Sequence, residues 1–174
     1  MADERIAVVP YDPEWPRRFE AERASLESVL APWLAGGIEH VGSTAVPGLA
    51  AKPIIDMVAG VRDLDGARAA VPALRDHSYV EEPHRPRVAH HFAKPSTRSP
   101  EYGLHLTEPG SDLWRERLAF RDALRRNRTL AAEYAALKLR LIREHGSDLG
   151  AYTAGKRVFV ADVLSTVGEA LDRR

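Results

Sequence analysis

The 174-residue chain contains no cysteine, which excludes disulfides, thiolate nucleophiles and thiolate metal ligands. It has no charge excess: 25 Lys and Arg balance 25 Asp and Glu, and the isoelectric point is near 7.1. Bulk electrostatic attachment to nucleic acid or to an anionic membrane needs a large basic surface, so neutrality argues against both. No apolar run approaches membrane-spanning length. The first residues, Met1-Ala2-Asp3-Glu4-Arg5, are charged and lack the apolar centre of a signal peptide, so the expectation is a soluble, cytoplasmic protein. There is also no internal repeat and no low-complexity segment. What remains is ordinary for a globular chain: 44% hydrophobic residues, enough for one domain or a core with a helical extension.

The informative stretch runs from Glu39 to Val61. Two short apolar runs, Ile38 to Val41 and Ile54 to Val61, flank a loop rich in Gly and Pro. Runs of this length with such boundaries read as buried strands. Gly42 has no Cβ and lets a bulky group approach the backbone. Ser43 and Thr44 offer hydroxyls and N–H groups suited to phosphate oxygens. A helical turn starting near Ala45 would add partial positive charge, and Lys52 a full one. Asp56 stands inside the second apolar run. A buried carboxylate is costly when unpaired, and a divalent cation, a hydrogen-bonding backbone or a basic partner would each resolve that cost.

A Gly-Ser turn followed about a dozen residues later by an acid on a strand resembles the nucleotidyltransferase superfamily. The longer string, Glu39-His40-Val41-Gly42-Ser43-Thr44-Ala45-Val46-Pro47-Gly48-Leu49-Ala50-Ala51-Lys52-Pro53-Ile54-Ile55-Asp56, resembles the GrpB family within it. The similarity extends to Val9-Pro10-Tyr11-Asp12-Pro13-Glu14-Trp15-Pro16, to Phe120 through Arg125 and to Tyr152-Thr153-Ala154-Gly155-Lys156. The resemblance implies a cleft that binds a nucleotide or other phosphorylated small molecule. Gly42, Ser43, Thr44 and Lys52 would cradle phosphate, and Asp56 would hold Mg²⁺. Active members of the superfamily carry a second acid two residues after the first, on the same strand face. Here that position is Val58, so Glu39 on the neighbouring strand is the candidate second carboxylate. The family shows His-x-His on a later strand; this chain has Gly103 and keeps His105, a candidate catalytic residue. Relatives fused to dephospho-coenzyme A kinase suggest, by analogy, a place beside nucleotide or coenzyme metabolism. Two functions follow: a nucleotidyltransferase acting on an unidentified acceptor, or a catalytically inactive nucleotide-binding or regulatory module.

Between Pro83 and Pro100 there is no acid, while His84, Arg85, Arg87, His90, His91, Lys94 and Arg98 are present. Arg87 and Lys94 are therefore candidate phosphate ligands; a solvated hairpin is the alternative.

Strand signals occur at Ile6–Val9, around the two runs above, after Tyr79 and at Tyr102–Leu106. Asp12 is a candidate N-cap with Pro13 at the first helical position, and Phe19, Leu26, Val29 and Leu30 form one helix face. Pro32 and Gly36-Gly37 mark its exit. Asp63 opens a helix that Pro72 kinks or restarts. From Ser111 the pattern is helical: one helix begins there, a second spans about Thr129–His145, and a third runs from Asp148 or Leu149 to about Leu171. Arg121 is expected to pair within or between helices, and Asp122 with Arg126. Strands confined to residues 6–107 and helices thereafter define an α+β (α/β-like) fold, a small mixed sheet packed by helices. The division is a nucleotidyltransferase-like core over residues 1–110 and a C-terminal helical segment over 111–174.

Overall fold

A computed structural model describes residues 7–83, 87–146 and 148–172. Ile6, His84 and Arg85 lie outside the described residues. Five strands form one mixed sheet: β1 (Leu34–Val41), β2 (Ile55–Val61), β3 (Val80–Glu82), β4 (His90–Lys94) and β5 (Tyr102–Thr107). Their spatial order is β1-β2-β5-β4-β3, and only the β2–β5 pair is parallel. The mixed sheet expected from the sequence is therefore present.

The period-two alternation of strand side chains separates two faces. On one face Ile38, Met57, Ala59, Leu104, Leu106 and Phe92 join Trp15, Leu26 and Leu30 of α1 (Trp15–Leu30) in the main core. Trp15 is 1% exposed, so it is a packing anchor. Asp56 faces the other way, paired across the ladders with Val41 of β1 and Gly103 of β5. Helix α4 (Asp112–Arg126) lies against β1 and β2, and α5 (Arg128–His145) and α6 (Leu149–Asp172) pack on one another and on α4. Arg121 on α4 reaches Glu39 and so ties α4 to the Asp56 face.

Local signals hold where a single side chain sets the boundary. Asp63 caps α2 (Leu64–Ala67) by accepting from the Gly66 N–H, and Pro72 opens a fresh helix, α3 (Val71–Asp76), after an intervening 3-10 turn. Ser111 caps α4 by accepting from the Trp114 N–H at 3.3 Å. Asn127 caps α5 in the same way. Other expectations are corrected. Asp12 does not cap α1: its carboxylate accepts from the Glu14 N–H at 2.9 Å, a turn ahead of a helix that begins at Trp15. Val9 forms only an isolated bridge with Ala51. Gly36 and Gly37 are inside β1, not at a helix exit. A Cβ on Gly36 would stand 2.9 Å from Pro109, and one on Gly60 across the ladder 2.8 Å from the same ring. These two glycines let the chain fold tightly over the end of the sheet.

Candidate functional site

The loop after β1 is held by a buried relay. Gly42 takes φ +73, a conformation L side chains avoid, and turns the chain into a three-residue 3-10 turn, Ser43–Ala45. Thr44, 2% exposed, donates its hydroxyl proton to the Ile54 carbonyl at 2.9 Å. That leaves its oxygen to accept from His40 Nε2, also at 2.9 Å. Nε2 of the imidazole therefore carries a proton. Burial, with Arg125 and Arg121 nearby, pushes its pKa down to about 4. Phe19 stacks on its ring at 4.8 Å. Thr44 therefore fastens the loop to β2. The helical turn foreseen near Ala45 is a single 3-10 turn, too short for a substantial dipole.

Asp56 sits between two glycines. A Cβ on Gly42 would come within 2.9 Å of one carboxylate oxygen, and a Cβ on Gly103 within 2.6 Å of the other. The space at Gly42 is thus taken by the acid, not directly by a ligand as the sequence suggested. Gly103, where the His-x-His pattern has its first histidine, leaves that space to the Asp56 carboxylate in this chain. Among the described residues nothing donates a hydrogen bond to the Asp56 carboxylate, so it does not cap the loop. Burial raises its pKa; Arg117, Lys156 and Lys52 act against that shift.

The carboxylate opens into a cleft of about 210 Å³ lined by Ser43, Thr44, Lys52, Lys138, Tyr152 and Lys156, among others. Neither Lys138 nor Lys156 is among the candidate site residues read from the sequence, where Gly155-Lys156 lacks the preceding glycine of a phosphate loop. Lys138 is 2% exposed, donates to Ser43 Oγ at 3.1 Å and to the Ala50 carbonyl, and lies over the Tyr134 ring. Burial and the Lys156 charge lower its pKa to about 8. Lys156 lies 4.3 Å from the Tyr152 ring centroid. Its pKa is also lowered to about 8, chiefly by burial and against the pull of Asp56. Gly155 permits the arrangement. A Cβ there would stand 2.4 Å from Leu141 on α5, so glycine lets α6 approach α5 and brings Lys156 over the cleft. The signal was present in the family-like string Tyr152-Thr153-Ala154-Gly155-Lys156, whose lysine becomes a cleft residue only when α6 folds back.

Other candidate residues are placed elsewhere. Lys94 points to the opposite sheet face from Asp56, because it lies in register with Tyr102, next to Gly103. There it pairs with Glu22 at 2.8 Å and lies over the rings of Tyr79 and Tyr102. Arg87 lines a different pocket with Leu64, Thr107 and Glu108. Neither serves the Asp56 cleft, since strand alternation and sheet position carry them away. Glu39 shares the Asp56 face but is engaged by Arg121 at 2.8 Å and lines a separate pocket. His105 is opposite Val58 on the same face, edge-on to His91 with ring centroids 4.4 Å apart. It does not line the cleft. Arg121 also contacts Asp122 at 2.9 Å, its long guanidinium curling back along the helix. The Asp122–Arg126 pair forms as expected, at 3.7 Å. Among the described residues no group of three or more His, Asp or Glu side chains is placed to hold a metal ion, and none of the helices is long and apolar enough to cross a membrane.

Fold and cleft together define an α/β protein in which a strand carboxylate, Asp56, shares a cleft with Lys138 and Lys156 from helices that follow the sheet in sequence. A family model described as GrpB protein matches residues 5–166, so the chain belongs to the GrpB family. It is 35% identical over 168 residues to a UPF0157 protein of Deinococcus radiodurans, covering 96% of this chain and 85% of that one. It is 29% identical to the UPF0157 protein YqkA of Bacillus subtilis, of whose length it spans 44%. A dephospho-CoA kinase of Mycolicibacterium paratuberculosis is 30% identical over 190 residues, again with 44% of that protein covered. Among solved structures, the GrpB protein of Enterococcus faecalis superposes with a TM-score of 0.83 at 28% identity, covering 96% of this chain and 98% of that chain.

Proposed function

We propose that the Asp56 cleft binds the phosphate groups of a nucleotide or related phosphorylated small molecule. The observation that carries this reading is the charge of the lining: Lys52, Lys138 and Lys156 surround one carboxylate. Such a lining attracts a polyanion, and the two depressed lysines gain from it directly, because an anion favours their charged form. Ser43 supplies a hydroxyl at the same place. The dephospho-CoA kinase relative supports a ligand from nucleotide or coenzyme chemistry.

Mg²⁺ fits here in one way only. It is commonly held by one or two carboxylates together with substrate phosphates, and Asp56 is one carboxylate beside a phosphate-attracting lining. When bound, the ion would neutralise phosphate charge. A free Mg²⁺ ion has little to hold it among three ammonium groups. A second ion lacks ligands, because Val58 is apolar and Glu39 is engaged by Arg121. Two-metal transfer chemistry wants more acids than this. We therefore read the protein as a nucleotide-binding or regulatory module of nucleotidyltransferase-like design, in preference to a two-metal transferase.

The test is a thermal-shift titration with ATP, pyrophosphate and AMP, with and without Mg²⁺. A ligand at a hundredfold excess over its dissociation constant stabilises by about 2.7 kcal/mol. For a chain of this size that corresponds to a shift of roughly 5–10 °C. Lys156→Met should at least halve the shift while leaving the unliganded melting temperature within a few degrees. No shift with any phosphorylated ligand, or a shift unchanged in Lys156→Met, would overturn the reading. Steady Asp56-dependent turnover of nucleotide would restore the transferase reading.

A further inference from the structure

A second pocket, of about 320 Å³, shares no lining residue with the Asp56 cleft. It lies beside edge strand β1, under the N-terminal segment and α1. Its floor is aromatic: Phe19 stacked on the neutral His40 ring, and Tyr11, which meets Trp15 edge-on. Its walls are charged. Arg23, Arg121 and Arg125 face Glu20 and Glu39, and Asp122 shares Arg121, so no positive charge is left in surplus. Most of the positive charge is already engaged. Arg121 is held by Glu39, Asp122 and the His40 carbonyl. Arg23 pairs with Glu20 at 2.6 Å, yet its Nε is buried without a hydrogen-bond partner. Arg125 spends only its Nε, on the Ala45 carbonyl at 2.8 Å. Among the described residues its two terminal nitrogens have no hydrogen-bond partner.

A guanidinium with its fork open beside a stacked aromatic floor is suited to a planar carboxylate, through paired N–H donors and ring contact. The acids along the walls set the anion. A monoanion adds one negative charge to a balanced lining, whereas a phosphate dianion would place two beside Glu20 and Glu39. The Asp56 cleft, with three lysines against one acid, has the reverse preference. The volume lies at the lower end of the range for small-molecule sites. We propose that this pocket, between Tyr11, Phe19, His40 and Arg125, is a second ligand site that takes a small aromatic or other planar carboxylate monoanion. The inference stands whether or not the Asp56 cleft binds phosphate. The two sites are joined by the loop itself: His40 in the pocket bonds Thr44, which lines the cleft.

The experiment uses benzoate as probe, with benzamide as its neutral analogue and phenyl phosphate as the dianion. Binding to the full chain is followed by NMR shifts of the Ala45 amide and the His40 ring. Benzoate should saturate both signals, benzamide should bind at least tenfold more weakly, and phenyl phosphate should leave them in place. Arg125→Gln keeps a side-chain N–H for the Ala45 carbonyl but removes the fork, and should weaken benzoate at least tenfold without changing pyrophosphate binding. Should that variant fold poorly, a benzoate-soaked crystal of the wild type decides: a carboxylate seated on Arg125 supports the site. No saturable benzoate shift, equal binding of benzamide, or a benzoate position elsewhere overturns it.

Discussion

Phosphate binding should take up protons at mildly alkaline pH. Lys138 and Lys156 are both depressed to about 8 because each is partly stripped of water and close to another ammonium group. At pH 8 each is therefore about half charged in the free protein. An anion stabilises the charged form and moves both pKa values upward. Binding of ATP, whose phosphates are already ionised at that pH, should then draw about half a proton per lysine, about one in all. At pH 7, where each lysine is about nine-tenths protonated, uptake should fall to about 0.2 proton. The sign follows: affinity is full below pH 7 and weakens as pH rises through 8, by roughly tenfold per lysine between pH 7 and 9. Titration calorimetry at pH 8 in two buffers of different ionisation enthalpy reads the protons directly. Lys156→Met gives an internal check. It removes one titrating group and also the neighbour that helps to depress Lys138, so uptake should drop by more than half. Absence of proton uptake at pH 8, with binding intact, would refute the claim that these two lysines hold the phosphate.

Four further outcomes are expected. Asp56→Asn should be as stable as the wild type or more so at pH 7–8. The folded pKa is raised, so the acid costs stability as pH rises above the ordinary carboxylate range; melting temperatures from pH 4 to 8 check this, and a Mg²⁺-dependent part of ATP binding should vanish with the charge. Gly103→Ala should lower stability and weaken ATP binding together, because the new methyl would stand 2.6 Å from the Asp56 carboxylate; unchanged binding in a folded variant would count against Asp56 as a cleft residue. Lys94→Met should leave ATP affinity unaltered but cost about 1–3 kcal/mol in chemical denaturation, since Glu22, which also accepts from the Tyr79 hydroxyl, loses its cationic partner in a partly buried setting. Gly155→Ala should cost about 1–3 kcal/mol by overpacking against Leu141, and should weaken ATP binding by displacing Lys156.

Much of the frame was legible along the chain, because it depends on neighbours in sequence. Asp63, Pro72 and Ser111 each decide a helix boundary within three or four residues, where backbone hydrogen bonds are local. The short apolar runs around Gly42 and Asp56, bounded by Gly and Pro, read better as buried strands than as helices, and the strands are there. The loop and its acid could be placed from their spacing alone.

The lining of the cleft was not legible, because it is made by residues far apart in sequence. Lys138 and Lys156 reach Asp56 only because α5 and α6 fold back against the sheet and Gly155 lets them close. The basic stretch around Arg87 and Lys94 looked the better source of positive charge, being concentrated in sequence. Strand alternation sends Lys94 through to Glu22 on the other face, and Arg87 lies at a separate pocket. Glu39 is on the right face but is claimed by Arg121, a contact between residues 82 positions apart. Composition and local spacing thus determined which elements form and where the acid stands; which charges surround that acid was decided by tertiary packing, since electrostatics depends on distance in space and not on distance along the chain.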